Sequence, residues 1–230
     1  MIKGKLIICG NHVGNILDIP QRSIDSIRKS DVVVCERYER FTVDLVKNYD
    51  IGNNFILIDD LFDGSDSIKT SMIKDSLING KIVSFICDSG MPGFADYGLE
   101  LIDFAYKNEI PVDIIPGPDV VGISVAAAAL EPRGPSIIFD HYMGQPDSEI
   151  IKSLSQFINI RSTLVIIDLP HRMINLIKIA NDVFGGNVNA AYCSKVTTED
   201  QKVIRGPLSS LLLNSEIGDI LDFASLVIAT

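Results

Sequence analysis

The 230-residue chain has little of what several familiar protein classes require. Its four cysteines, Cys9, Cys35, Cys87 and Cys193, are widely spaced, with no Cys-x-x-Cys pair. That spacing sets aside a disulfide framework and a zinc cluster, and no metal is expected. Each cysteine lies at or near the end of an apolar run, where a small buried hydrophobe fits. The longest apolar run, Val120–Leu130, is broken by Gly122 and Ser124 and is too short to cross a bilayer. Met1–Leu6 leads straight into a strand-like segment, without a signal-peptide stretch and cleavage site, so a cytoplasmic protein with no membrane partner is expected. Positive charge is scarce as well. Twenty Lys and Arg against 30 Asp and Glu give a net charge of -10 and a pI near 4.7. A general nucleic-acid binder carries a basic stripe instead, although a local basic cleft is compatible with overall acidity. Neither the dinucleotide fingerprint nor the Lys-Ser/Thr of a phosphate-binding loop follows the first strand, which weakens a nicotinamide oxidoreductase.

What remains is an ordinary α/β composition. Hydrophobic residues make up 47% of the chain and charged residues 22%, enough for one large core or two modest ones. Strand-like runs fall at Lys5–Cys9, Asp31–Cys35, Phe55–Ile58, Ile82–Cys87 and Val112–Ile115. Between them, Pro20–Lys29, Arg40–Asn48, Ser67–Asn79 and Gly98–Asn108 have helical length and mixed polarity. This alternation predicts a mostly parallel sheet with flanking helices, and continuous apolar strands fit a sheet covered on both faces. A helix over Val120–Leu130 follows, and then the cluster Pro132-Arg133-Gly134-Pro135 suggests a linker.

Beyond the cluster the pattern predicts strands at Ser136–Phe139, Thr163–Asp168, Val188–Cys193, Lys202–Arg205 and Ala224–Ala229. Helices are expected near Asp147–Phe157, over Met173–Phe184 with a glycine cap, and over Pro207–Leu213. The polar turn between Val188–Cys193 and Lys202–Arg205 implies an antiparallel hairpin. The expected architecture is therefore a two-lobed α/β fold: a mostly parallel N-terminal lobe over 1–133 and a mixed α/β lobe over 134–230. A cofactor cleft is expected between the lobes.

Three strand-to-helix loops carry the chemistry. Gly10-Asn11-His12-Val13-Gly14-Asn15 follows the first strand, where glycines let backbone approach a ligand. Asp88-Ser89-Gly90-Met91-Pro92-Gly93-Phe94-Ala95-Asp96-Tyr97-Gly98 follows the fourth, and is costly to order unless its backbone groups meet something. Pro116-Gly117-Pro118-Asp119 follows the fifth and opens a helix. Taken singly, each can also be read as an ordinary turn.

Their order resembles the tetrapyrrole (corrin/porphyrin) methylase superfamily, and within it the branch that methylates a cytidine ribose 2′-oxygen of small-subunit ribosomal RNA. The branch's glycine-asparagine loop with Asp-Ile is matched by Gly14-Asn15 and Asp18-Ile19. Its aspartate-glycine-proline signature is matched by Asp88, Gly90, Pro92, Asp96 and Gly98, and its Pro-Gly-Pro by Pro116-Gly117-Pro118. In the second half, Leu169-Pro170-His171-Arg172, Ser194-Lys195-Val196-Thr197 and Arg205-Gly206 correspond to Ser-Pro-His-Arg, Thr-Lys and Arg-Gly. The departures are Asn11-His12 for Thr-Pro, Glu36-Arg37-Tyr38-Glu39 for Glu-Asp-Thr-Arg, Asp119 for a serine or threonine, and the lack of an extra C-terminal helical segment.

The resemblance implies S-adenosylmethionine as cofactor, a small-ribosomal-subunit RNA substrate and a homodimer. It implies cofactor contacts at Asp88, Gly90, Met91, Pro92, Gly93, Phe94, Pro118, Asp119 and Val120. From the second lobe, Leu169, Cys193, Ser194, Gly206 and Pro207 would add to them, mostly through backbone groups. A ribose hydroxyl is a poor nucleophile, so a general base is sought at His171 or Glu36. His12, Asn15, Arg37, Arg172, Lys195 and Arg205 are candidates for substrate contact, the cations as a lip for RNA phosphate. A peptide, protein or tetrapyrrole acceptor, and a non-catalytic cofactor-binding homologue, remain open alternatives.

Overall fold

The computed structural model describes residues 4–35, 45, 47–49, 51, 55–57, 68–93, 98–131, 134–139, 145–217 and 224–230. The chain divides into two compact units, Met1–Asp119 and Val120–Thr230.

The first unit is built on five parallel strands in the order β3-β2-β4-β1-β5. These are β1 (Lys5–Cys9), β2 (Val32–Cys35), β3 (Phe55–Leu57), β4 (Ile82–Ile86) and β5 (Val112–Ile115). Alternate side chains of the strands feed two cores, because successive Cβ atoms point to opposite faces. On one face Leu6, Val32, Val34, Val83 and Phe85 pack with Ile73 and Leu77 of helix α2 (Ile68–Ile78) and with Leu101 and Ala105 of α3 (Leu99–Lys107). On the other, Ile7, Cys9, Val33, Cys35 and Ile86 pack with Ile24 and Ile27 of α1 (Gln21–Lys29). Each such aliphatic side chain contributes roughly 1.5–3 kcal/mol on burial. Pro20, expected inside the first turn of α1, is its N-cap. The helix expected at Arg40–Asn48 falls largely outside the described residues.

This strand order matters for function. Strand β1 lies between β4 and β5, so the chain segments leaving the carboxyl ends of all three are neighbours. In open α/β sheets that edge, at the point where strand order reverses, is where ligands bind.

The second unit carries a mixed sheet in the order β6-β7-β10-β8-β9. Its strands are β6 (Ser136–Phe139), β7 (Thr163–Asp168), β8 (Asn189–Ser194), β9 (Lys202–Pro207) and β10 (Ala224–Ala229). Strands β6 and β7 run parallel, and the other neighbours antiparallel. The expected hairpin is present as β8 and β9. One face is covered by α5 (Asp147–Ser155), α6 (Pro170–Phe184) and the short α7 (Leu208–Leu211). Met173, Leu176, Ile177 and Ala180 give α6 the i, i+3, i+4, i+7 stripe of a core-facing helix.

The other face is covered by α4 (Val120–Ala128). There Ser225 Oγ donates to Ser124 Oγ at 2.7 Å, and the Cys193 thiol approaches the Ser124 carbonyl at 3.9 Å. Because α4 packs on this sheet, the division between units falls at Asp119–Val120. The Pro132–Pro135 cluster, expected as a linker ahead of a second lobe at 134, lies partly outside the described residues; Gly134 has φ +84°.

Candidate functional site

The three loops at the carboxyl ends of β4, β1 and β5 are stitched together by a compact set of bonds. Gly10 N donates to Ile115 O at 2.9 Å, and Ser23 Oγ at the start of α1 donates to Gly10 O at 2.7 Å. The fully buried Asn11 reaches from the first loop to the second: its Nδ2 donates to Cys87 O at 3.0 Å and to Asp88 O at 3.1 Å. Its Oδ1 accepts the His12 N–H at 2.8 Å. The backbones join too, with Asn11 N donating to Gly90 O at 2.7 Å and Gly90 N to His12 O at 2.9 Å. Met91 ties the second loop to the third, its Sδ accepting the Gly117 N–H at 3.2 Å.

These contacts bring the first unit's candidates together. Gly90 is buried with φ +75°, and a Cβ there would lie 3.4 Å from Pro118 O and 3.9 Å from the Cα of Asp119. Gly93 has φ +100°. Met91, Pro92, Pro118 and Asp119 lie on the same pair of turns, and Asp88 is half-buried. Main-chain groups at glycine turns, flanked by two carboxylates, suit a cationic adenosyl sulfonium. Phe94, Glu36 and Arg37 lie outside the described residues.

His12 is buried, 1% exposed, beside Asn11 in the first loop. Asn15 is exposed, and its side chain accepts the Leu17 N–H at 3.0 Å, capping a short 3-10 turn over Ile16–Asp18. The asparagine of the glycine-asparagine motif thus shapes its own loop.

Within the second unit, β-register sorts the candidates by position. Asp168, Ala224 and Ser194 stand opposite one another across β7, β10 and β8, so Leu169, Cys193 and Ser194 share one end of the sheet. Helix α4 runs from Ser124, against Cys193, to Ala129, whose carbonyl accepts from Arg205. That direction puts Val120 at the Ser194 end too. Gly206 and Pro207 pair with Ala190 and Asn189. They lie about 14 and about 17 Å along the strand from Ser194, at about 3.4 Å per residue. The structure therefore groups four of these six and sets Gly206 and Pro207 apart.

Helix α6 begins at Pro170, three residues earlier than the apolar pattern alone indicated, with Pro170 in its first turn. His171 is exposed in that same turn. The corner before it is held by Asp168, 1% exposed, whose Oδ1 accepts Leu169 N at 2.8 Å and whose Oδ2 accepts Arg172 Nε at 2.9 Å. Arg172 thus commits its charge to a buried carboxylate. Lys195 Nζ lies 3.4 Å from Asp200, and Arg205 Nη2 donates to Ala129 O at 2.9 Å. The three described cations proposed for an RNA lip each have a protein partner.

Asn11, Ser23 and Asp168 were not among the sequence candidates. For Asp168 a signal existed, since an acidic residue closing a strand four positions before an arginine forms an i, i+4 pair. Among the described residues, no group of three or more His, Cys, Asp or Glu could hold a metal ion, and no helix is long and apolar enough to cross a membrane.

A model of the tetrapyrrole (corrin/porphyrin) methylases matches residues 5–212. The chain is 27% identical over 210 residues to a ribosomal RNA small subunit methyltransferase I of Mesomycoplasma conjunctivae, covering 91% of this chain and 85% of that protein. It is 26% identical over 215 residues to the protein of the same name from Thermotoga maritima, covering 93% and 92%. Among solved structures it resembles a diphthine synthase with TM-score 0.72 and 17% identity, covering 98% of this chain and 90% of that one. It also resembles the uroporphyrin-III C-methyltransferase of Thermus thermophilus, with TM-score 0.67 and 17% identity over 99% and 94%. At such identities the structural likeness is one of fold.

Proposed function

Since this chain belongs to the tetrapyrrole (corrin/porphyrin) methylase family, we propose that it is an S-adenosylmethionine-dependent methyltransferase acting on a ribose 2′-oxygen of small-subunit ribosomal RNA. The observation that carries the cofactor half is the joining of the turns at Gly90 and Pro118, so close that a Cβ on Gly90 would lie 3.4 Å from Pro118 O. The acceptor half is supported by the two relatives named as ribosomal RNA small subunit methyltransferase I.

In this account the cofactor supplies an electrophilic methyl group bound to a sulfonium. The work of the chain is then alignment and exclusion of water rather than activation of the donor. Gly90–Gly93 and Pro118–Asp119 hold the nucleoside through main-chain groups, and Asp88 and Asp119 favour the positive charge. Leu169, Cys193, Ser194 and Val120 are proposed contacts from the second unit. His171, exposed at the start of α6, is the proposed base for the ribose hydroxyl, and His12 the proposed acceptor contact near the first loop. The same account has the protein act in the cytoplasm as a homodimer.

A second acceptor class, a protein side chain or a tetrapyrrole, is favoured by one observation: Arg172 and Lys195 already face Asp168 and Asp200. Incubating the purified protein with tritiated S-adenosylmethionine and unmodified small ribosomal subunits separates the two. Label in the RNA, recovered as a ribose-methylated nucleoside, is expected. Label confined to protein, or none, contradicts the RNA reading.

A further inference from the structure

We propose that Asn11 is a positioning residue, holding the Asp88–Gly93 loop in the conformation that receives the cofactor. The inference rests on the cofactor assignment above and adds a residue to it.

The Asn11 side chain is a carboxamide, and it can do more than a hydroxyl side chain of similar size such as threonine. A threonine hydroxyl has one hydrogen to donate; a carboxamide has two, and an oxygen besides. Here all three are used. The two N–H groups reach Cys87 O and Asp88 O, 76 and 77 residues away, and the oxygen accepts the neighbouring His12 N–H. The orientation of the amide follows from these partners. Turned over, it would set its oxygen against two carbonyl oxygens and its NH2 against an N–H.

The bonds fall just before the glycines that matter. Cys87 and Asp88 are the last residues ahead of the turn whose Gly90 takes φ +75° and Gly93 φ +100°. Gly90 is gripped from the other side by the reciprocal Asn11 N to Gly90 O and Gly90 N to His12 O bonds. Asn11 is 0% exposed, so water cannot take over these bonds if the side chain is removed without local opening. A loop fixed before binding loses less freedom on binding, so the clamp acts on cofactor affinity as well as on stability.

The test compares wild type, Asn11→Asp, Asn11→Ala and Asn11→Thr. Each is titrated calorimetrically with S-adenosylhomocysteine, and amide hydrogen exchange is followed at Gly90 and Met91. Asn11→Asp keeps the shape but turns two donors into acceptors facing carbonyls. It is expected to weaken the dissociation constant by at least about tenfold, with Asn11→Ala close behind and Asn11→Thr between them and wild type. Binding stoichiometry should stay near that of wild type, and exchange should quicken at Gly90 and Met91 while β1 and β4 stay protected. A residue that only supports the fold would instead lower the competent fraction at unchanged affinity. Should wild type bind while a folded Asn11→Asp binds within twofold, the positioning role is overturned alone. Should Asn11→Asp fail to fold, the graded pair Asn11→Ala and Asn11→Thr decides by the same criterion. Failure of wild type to bind overturns the cofactor assignment, and this role with it.

Discussion

Gly10 and Gly117 cross at the carboxyl edge of the first sheet so closely that a Cβ on Gly10 would fall 2.5 Å from the Gly117 Cα. A Cβ on Gly117 would fall 2.8 Å from the Gly10 Cα. The obstacles are backbone atoms, which cannot swing away as a side chain could. Gly10→Ala and Gly117→Ala are therefore expected to cost about 1–3 kcal/mol of stability each through overpacking. They should also part the first loop from the third and weaken S-adenosylhomocysteine binding. Urea unfolding and calorimetry check both effects; unchanged affinity in a folded Gly117→Ala protein would separate the crossing from the site.

A gain in stability is expected at the end of α4. Ala129 sits at φ +45°, the left-handed position that usually ends a helix with glycine, while its carbonyl is held by Arg205. Replacing it removes the Cβ strain, so Ala129→Gly should stabilise the protein by up to about 1 kcal/mol despite the added freedom of the unfolded chain. Chemical denaturation reads the difference directly.

Alkaline pH should weaken the fold through two thiols. Burial pushes both Cys9 and Cys193 up from the ordinary 9.0 to about 11, against a smaller lowering by hydrogen bonds with Ser84 and Ser225. Each folded-state value lies above the unfolded one, so the native state keeps its proton longer. The stabilisation is fully present below pH 9 and is lost as pH rises through 11. The melting temperature is expected to fall across that window, and the double variant Cys9→Ala, Cys193→Ala should flatten the fall. The same burial makes both thiols slow to react with alkylating reagents at neutral pH.

Removing Arg172 leaves Asp168, 1% exposed, still accepting from the Leu169 N–H but without its cation. Arg172→Ala should then destabilise the second unit by about 2–3 kcal/mol, below the full cost of a wholly buried pair because Arg172 is partly exposed. Asp168→Asn with Arg172→Met should recover part of that loss. If Arg172 also meets RNA phosphate, its removal weakens RNA binding beyond what the stability change explains, which filter binding at several salt concentrations would reveal.

Local structure was the part most open to sequence reasoning. Strands Lys5–Cys9, Val112–Ile115, Thr163–Asp168 and Ala224–Ala229 have the bounds their apolar runs imply. The hairpin of β8 and β9 was signalled by its polar turn. Strand order is another matter: that β1 lies between β4 and β5 follows from pairing across some 75–110 residues, which no local pattern encodes. Glycines at the ends of β1, β4 and β5 marked the candidate site, yet the Asn11 bonds to Cys87 and Asp88 were invisible for the same reason. The start of α6 was placed late because Pro170 reads equally as a loop residue and as a first-turn residue. Only the depth of Met173 in the core and the Asp168 bonds at the corner decide it.

The most direct test of the whole account is a crystal structure with S-adenosylhomocysteine bound. The adenosyl group is predicted to lie against the main chain of Gly90–Gly93 and Pro118–Asp119. Density for it elsewhere on the protein, with these turns bare, would contradict the account.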